Sequence, residues 1–206
     1  MMAADGARLG DTMTALEAAG VGGWHWDVMD GHFVPNLTFG PDIVKACRPV
    51  SSLEFDVHLM VTDPLQWVRP FVDAGADCIA VHVDSGDTTE AVTQIREMGC
   101  RAGLVLNPET SFEQVPEKLW KQIDRVLLMS VHPGFGAQKF IDITAKITAI
   151  RRAFPELEIA VDGGINAENA KDLRAAGANV LISGSSLISG GAPFEKRVAA
   201  LSGGMA

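Results

Sequence analysis

One pattern recurs along the chain: an amphipathic helical stretch, a glycine, a few linking residues, then a short apolar run. LEAAGVGGWHWDVMD, VDAGADCIAVHV, REMGCRAGLVLN and RAAGANVLISG show it most plainly. In these, Gly20, Gly75, Gly99 and Gly177 stand where a helix ends and the backbone turns left-handed, which glycine does without a Cβ clash. Helix starts are marked as well. Pro41 and Pro64 suit a first helical position, Thr88 or Thr89 precedes EAVTQI, and Asn166 precedes AENAKDLRAAG. The apolar runs predict seven strands, at about 24–29, 53–60, 78–83, 101–107, 125–131, 158–162 and 179–184.

Strands that alternate with helices pair in parallel through right-handed crossovers. Repeated this often in 206 residues with no linker or break in composition, they predict one α/β domain over 1–206, folded as a (β/α)8 TIM barrel. The count is one short. Only MMAADG precedes the first helix, and so few small and polar residues cannot form a buried strand, so the barrel is expected to lack its first β-strand.

Composition narrows the function classes. Hydrophobic residues make up 47% and aromatics 6%, which fits an aliphatic α/β interior. A net charge of −9 argues against nucleic-acid binding, which needs a basic surface. A single small phosphorylated ligand stays compatible with it, because backbone N–H groups at a helix start can hold that charge. No apolar run is long enough to span a bilayer, and no basic stretch followed by an apolar run marks a signal peptide. Cys47, Cys78 and Cys100 show no C-x-x-C spacing and read as buried free thiols in a reducing compartment, so the expected location is cytoplasmic.

Residues two apart on a strand share a face. In WHWDVM that groups His25, Asp27 and Met29, with Trp24 and Trp26 on the other side; in DVHLM it groups Asp56, His58 and Met60. Asp162 ends the strand EIAV and runs into Gly163-Gly164. Barrel enzymes keep their sites at C-terminal strand ends, and there His25, Asp27, His58 and Asp162 would form a mixed site for Zn, Fe or Mn. One inward histidine or aspartate is more often an ordinary hydrogen-bonded interior group. Four together reverse that reading, since burying two unpaired carboxylates is costly. Gly163-Gly164, Gly184-Ser185 and the loop His132-Pro133-Gly134-Phe135-Gly136-Ala137-Gln138 all follow strand ends, and together they suggest a phosphorylated substrate.

HWDVMDGHFVPNLTFGP, FDVHLMV, LLMSVHPGFGAQKF, VDGGI and ISGSS resemble, in order and spacing, the signature segments of ribulose-phosphate 3-epimerases. The match runs from about Ala4 to the last helix. The resemblance implies a TIM barrel of the ribulose-phosphate-binding type. It also implies an isomerase of the pentose phosphate pathway that interconverts D-ribulose 5-phosphate and D-xylulose 5-phosphate by moving one proton at C3. His25, Asp27, His58 and Asp162 would hold one divalent metal (Zn, Fe, Mn or Co), and Asp27 and Asp162 would double as the acid/base pair. The metal would stabilise the enediolate charge as a Lewis acid. His58, Gly134, Phe135, Gly136, Ala137, Gly163, Gly164, Gly184 and Ser185 would bind substrate, chiefly its phosphate. Met29, Met60 and Met129 would line the site, although flexible core filling explains a methionine equally well. His32 and His132 are expected in solvated loops, and His82 inside the barrel without being a ligand. The family's habit implies a homo-oligomer.

The chain departs from the family pattern in places. A P-S-I-L-type first strand, whose serine contacts substrate, is missing; Ala137 replaces a glycine, Ala160 an acidic residue, and Asp84 an expected glutamate. The missing strand leaves an exposed edge beside the strand bearing His25 and Asp27. Two alternatives therefore stand beside the pentose-phosphate epimerase. One is an epimerase of a longer sugar phosphate such as D-allulose 6-phosphate; the other is a truncated metal-binding isoform with little or no activity.

Overall fold

The computed structural model describes residues 1–136 and 138–203, so Ala137 lies outside the described residues. Seven strands form: β1 Gly23–Met29, β2 Glu54–Met60, β3 Cys78–His82, β4 Arg101–Leu106, β5 Arg125–Met129, β6 Glu158–Asp162 and β7 Val180–Ile182. All pair in parallel and in chain order, each close to its expected run. Helix α1 Leu9–Ala18 precedes β1. The crossovers carry α2 Pro41–Cys47, α3 Leu65–Asp73, α4 Thr88–Glu97, α5 Glu117–Trp120, α6 Thr144–Ala153 and α7 Ala170–Ala176. The short α8 Ser185–Ile188 and then α9 Phe194–Ser202 follow β7.

The sheet rolls into a barrel. Ligand atoms of His25 and Asp27 on β1 and Asp162 on β6 lie within 4.8 Å of one another, closer than strands that far apart in a flat sheet could bring them. Among the described residues no strand bridges β1 and β7, so the barrel is open along that seam. The described residues before β1 form a turn at Gly6–Arg8 and then α1, with no strand among them. From the gap, the Met1 amino group donates to the His25 carbonyl, a group that an adjacent strand would otherwise satisfy.

Burial follows the alternation read from the sequence. Trp24, Trp26 and Val28 of β1 pack outward under the helices, in one continuous core with Phe55, Val57 and Leu59 of β2. The barrel interior holds smaller side chains, among them Ala80, Val105, Leu127, Met129 and Ala160. Gly20, Gly75, Gly99 and Gly177 all have positive φ, as their places at helix ends demand. Three helix starts differ from expectation. Thr88 is already the first residue of α4, and Asp87 caps it, its Oδ1 accepting from Glu90 N–H at 3.1 Å. Pro64 stands just before α3 rather than within it. Asn166 holds a separate turn, its Oδ1 accepting from Glu168 and Asn169 N–H, so α7 begins only at Ala170. Among the described residues, no helix is long and apolar enough to cross a membrane.

Candidate active site

Parallel register puts Asp27 opposite His58, His25 opposite Asp56, and Met29 opposite Met60 across β1 and β2. Asp162 closes β6 opposite Met129. The curl of the sheet then gathers His25, Asp27, His58 and Asp162. Asp27 Oδ1 lies 3.4 Å from His25 Nε2 and 3.4 Å from His58 Nδ1. Neither nitrogen has a hydrogen-bond partner, although both are buried.

The opposite nitrogen of each ring is tied down. His25 Nδ1 is 2.8 Å from Asp56 Oδ2, and His58 Nε2 is 2.8 Å from His82 Nε2. Two buried imidazole nitrogens without hydrogen-bond partners, aimed at one carboxylate and each ring oriented from behind, suit a shared cation once both are deprotonated. The donor set of two imidazoles and two carboxylates fits a divalent transition metal.

Backbone-directed hydroxyls hold the strand ends in place. Thr38 Oγ1 donates to the Asp27 carbonyl and accepts from Met29 N–H at 3.0 Å, pinning the loop after β1 against its strand. Ser130 Oγ donates to the carbonyls of Asp162 (2.9 Å) and Gly163 (2.6 Å). Sequence reasoning assigned neither residue a role. It placed Asp56 on the inward face without a function, though its spacing two residues before His58 was the available signal.

The two carboxylates have been driven apart electrostatically. Burial disfavours ionisation of Asp27, but His25 and His58 outweigh it and hold the carboxyl well below the usual range. Burial and the negative charge of Asp27 together push Asp162 up to about 7. Burial also works against a charged His25, yet Asp27 and Asp56 raise its pKa to about 10. His58, fully buried, is shifted down, chiefly by that burial.

Below this cluster, towards the N-terminal end of the barrel, Glu54, Asp56 and Cys78 form a second acidic grouping. A cation already serves it. The buried Arg125 guanidinium pairs with Glu54 (2.8 Å), Asp56 (3.0 Å) and Glu158, and Arg101 adds contacts to Glu54 and Glu158. Burial pushes the Cys78 thiol well up, so it stays protonated. This grouping is an ion-pair network filling the barrel end, with Asp56 as its link to His25.

A cavity of about 830 Å³ opens beside the upper cluster and runs along the seam. Asp27 and Asp162 face it, and Met29, Met60 and Met129, all buried elsewhere, give it an apolar wall. Gly134, Phe135 and Gly136 line it from the loop after β5, with Phe135 56% exposed. Gly163, Gly164, Gly184 and Ser185 line it from the loops after β6 and β7. Gly163 has φ +112°, and a Cβ there would sit 2.5 Å from Val131 Cγ2, so no other residue fits without displacement. His58 does not reach the cavity wall; it lies fully buried between Asp27 and His82. His32 and His132 are exposed in loops, and His82 is buried in the interior, each as expected.

The chain matches the model of a family described as the ribulose-phosphate 3 epimerase family over residues 1–188. It is 46% identical over 194 residues to a ribulose-phosphate 3-epimerase of Bacillus subtilis, covering 91% of this chain and 89% of that protein. It is 44% identical over 195 residues to a chloroplastic ribulose-5-phosphate-3-epimerase of Arabidopsis thaliana, covering 91% and 69%. Among solved structures, a 3-hexulose-6-phosphate synthase superposes with a TM-score of 0.68 at 18% identity, covering 95% of each chain, a likeness of fold alone.

Proposed function

The chain belongs to the ribulose-phosphate 3-epimerase family, and from that premise we propose that it interconverts D-ribulose 5-phosphate and D-xylulose 5-phosphate through Asp27 and Asp162. The observation that carries this reading is geometric: Asp27 on β1 and Asp162 on β6 belong to one buried cluster and face one cavity from different strands. An epimerisation at C3 needs one group to take a proton and another to return one to the opposite face, a task that two carboxylates so placed suit. In the metal-free protein Asp27 is held ionised by the two histidines, while burial and Asp27 push Asp162 up to about 7.

In the direction where Asp27 acts first, its carboxylate takes the C3 proton, and the C3–H electron pair moves into the enediolate. Asp162 then delivers its proton to the other face of C3. One proton is taken and one given per turnover, so the substrate gains none overall. Asp27 ends protonated and Asp162 ionised, the state from which the reverse reaction starts. Transfer of one proton from Asp27 back to Asp162, directly or through solvent, resets the pair. The methionine wall and the loops from β5, β6 and β7 keep bulk water from the carbanion-like centre, which protects it from stray protonation. Backbone N–H groups at Gly163-Gly164 and Gly184-Ser185 suit the substrate phosphate. His25, Asp27, His58 and Asp162 would hold a divalent metal, which would supply Lewis-acid stabilisation of the negative charge on the substrate oxygens.

The test is exchange of the C3 hydrogen of D-ribulose 5-phosphate in D2O, followed by NMR, with the metal content of the same sample measured. Exchange accompanied by formation of the xylulose epimer is expected. Metal-loaded protein that shows no exchange would refute the activity. Asp162→Asn is expected to abolish turnover while leaving the fold intact, and near-normal turnover would overturn the two-aspartate scheme.

A further inference from the structure

His82 lies two residues further along β3 than Ala80, the residue facing His58, yet its Nε2 sits 2.8 Å from His58 Nε2. The rings stack at 26°, with centroids 5.0 Å apart, and both are fully buried. Two ring nitrogens at that distance share one hydrogen: two would collide, and none would set lone pair against lone pair. One ring therefore donates and the other accepts, and the choice fixes which nitrogen of His58 is bare.

The far side of His82 biases that choice. His82 Nδ1 has no hydrogen-bond partner and lies 3.6 Å from Asp84 Oδ1. Asp84 is half exposed and accepts from Asn107 Nδ2 at 3.2 Å. A hydrogen on His82 Nδ1 faces that carboxylate favourably, whereas a lone pair there would face negative charge. With the hydrogen on Nδ1, His82 Nε2 must accept, so His58 Nε2 donates and His58 Nδ1 is left bare, pointing at Asp27. Asp27 pulls the other way, since a hydrogen on His58 Nδ1 would face its oxygen.

We propose that His82, backed by Asp84, is a positioning residue that selects the His58 tautomer able to bind metal through Nδ1. It does for His58 what Asp56 does for His25, but with a neutral ring in place of a carboxylate. The proposal rests on the reading that the four-residue cluster holds a divalent metal. His82 is neither a cavity-lining residue nor one of the four clustered residues and meets the cluster at His58, so it acts through that ring.

The experiment measures Zn²⁺ affinity of the full chain by chelator competition, in wild type, His82→Phe, His82→Gln and Asp84→Asn, alongside thermal unfolding of each metal-free protein. Loss of an outer partner of a metal-binding histidine typically costs about ten- to a hundredfold in affinity, and that is the loss expected for His82→Phe. His82→Gln, which keeps an acceptor, is expected to recover most of it, and Asp84→Asn to lose less than His82→Phe. Folded His82→Phe with affinity within about twofold of wild type would overturn the proposal. Nitrogen-15 NMR of histidine-labelled, Zn²⁺-loaded wild type supplies a reading independent of any variant's folding. His58 is expected protonated at Nε2 with His82 protonated at Nδ1, and His82 protonated at Nε2 overturns the proposal. Wild type that binds no Zn²⁺ overturns the cluster reading itself, a result distinct from wild-type binding that His82→Phe leaves unchanged.

Discussion

Replacing Asp56 by asparagine tests how the site is held. The carboxylate touches two buried partners through one oxygen, His25 Nδ1 at 2.8 Å and Arg125 Nη1 at 3.0 Å. An asparagine oxygen in that place still faces both, but as a neutral acceptor it no longer balances the charge of Arg125 or of a protonated His25. With the amide flipped, donor meets donor at both partners and the ring is freed to turn. Breaking a buried pair by removing one partner costs about 3–5 kcal/mol. Arg125 keeps Glu54 and Glu158 here, so the low end, about 3 kcal/mol, is expected.

Titration gives a similar figure. Burial works against the Asp56 charge, but His25 and Arg125 bring its pKa from the ordinary 3.8 down to about 2, roughly 2–3 kcal/mol of preference for the ionised form. Because the folded-state value is depressed, this stability is present above about pH 4 and is lost as pH falls towards 2. Urea unfolding of the metal-free Asp56→Asn protein should therefore show about 3 kcal/mol less stability than wild type, and heating scans a melting midpoint lowered by about 6–12 °C. It should also lack the wild type's decline between pH 4 and 2 attributable to this group. Zn²⁺ affinity should fall about ten- to a hundredfold, as His25 loses its charged acceptor. An Asp56→Asn protein with wild-type midpoint and wild-type affinity would refute the coupling of the lower network to the metal cluster.

Metal binding should depend steeply on pH. In the metal-free protein Asp162 titrates at about 7 and His25 at about 10, so both must lose a proton before they can serve as ligands. Affinity should rise with pH, with close to two protons released per metal below pH 7 and closer to one above it, readable by calorimetry in buffers of different ionisation enthalpy. Release near zero would show that the cluster is already deprotonated. Gly163→Ala forces φ +112° on a residue with a Cβ and drives that atom into Val131, including its backbone nitrogen at 3.0 Å. The neighbouring Asp162 should shift, and kcat should fall by about tenfold or more with the protein still folded, as expected for a small displacement of a reacting group. Unchanged kcat would separate that loop from catalysis.

Apolar runs and glycine placement carried most of the fold, because β2 to β5 are buried on both faces almost throughout and α1, α3, α4 and α7 each end beside a left-handed glycine. The four clustered residues were readable for a related reason. His25 and Asp27 lie two apart on one strand, and His58 falls at the corresponding height on the next, so a parallel register alone aligns them. What the chain did not reveal was the partnership of residues whose meeting depends on barrel closure or loop return. Arg125 on β5 reaches Glu54 and Asp56 on β2 across the interior. Thr38 returns from the loop after β1 to the carbonyl of Asp27. His82 was correctly expected inside the barrel, but its contact with His58 depends on two rings leaning towards each other from adjacent strands. Alternation predicts which face a side chain takes, not which atom it meets.

The open seam bears on these arguments. With no strand between β1 and β7 among the described residues, the edge of β1 lacks ladder hydrogen bonds on one side, and β1 carries two of the four clustered residues. Its other edge is paired throughout with β2, from Gly23 opposite Glu54 to Met29 opposite Met60. Side chains reinforce that one-sided hold at three heights. Arg125 fixes Asp56, Asp56 fixes His25, and Thr38 ties the end of β1 to its own loop. Each is a buried or half-buried polar contact whose loss strands a group without a partner, so the strand is restrained where the chemistry needs it. On this reasoning, disruption along the seam should reach the metal cluster mainly through His25, whose backbone carbonyl faces the gap, before it reaches His58, which is enclosed by β1, β2 and β3.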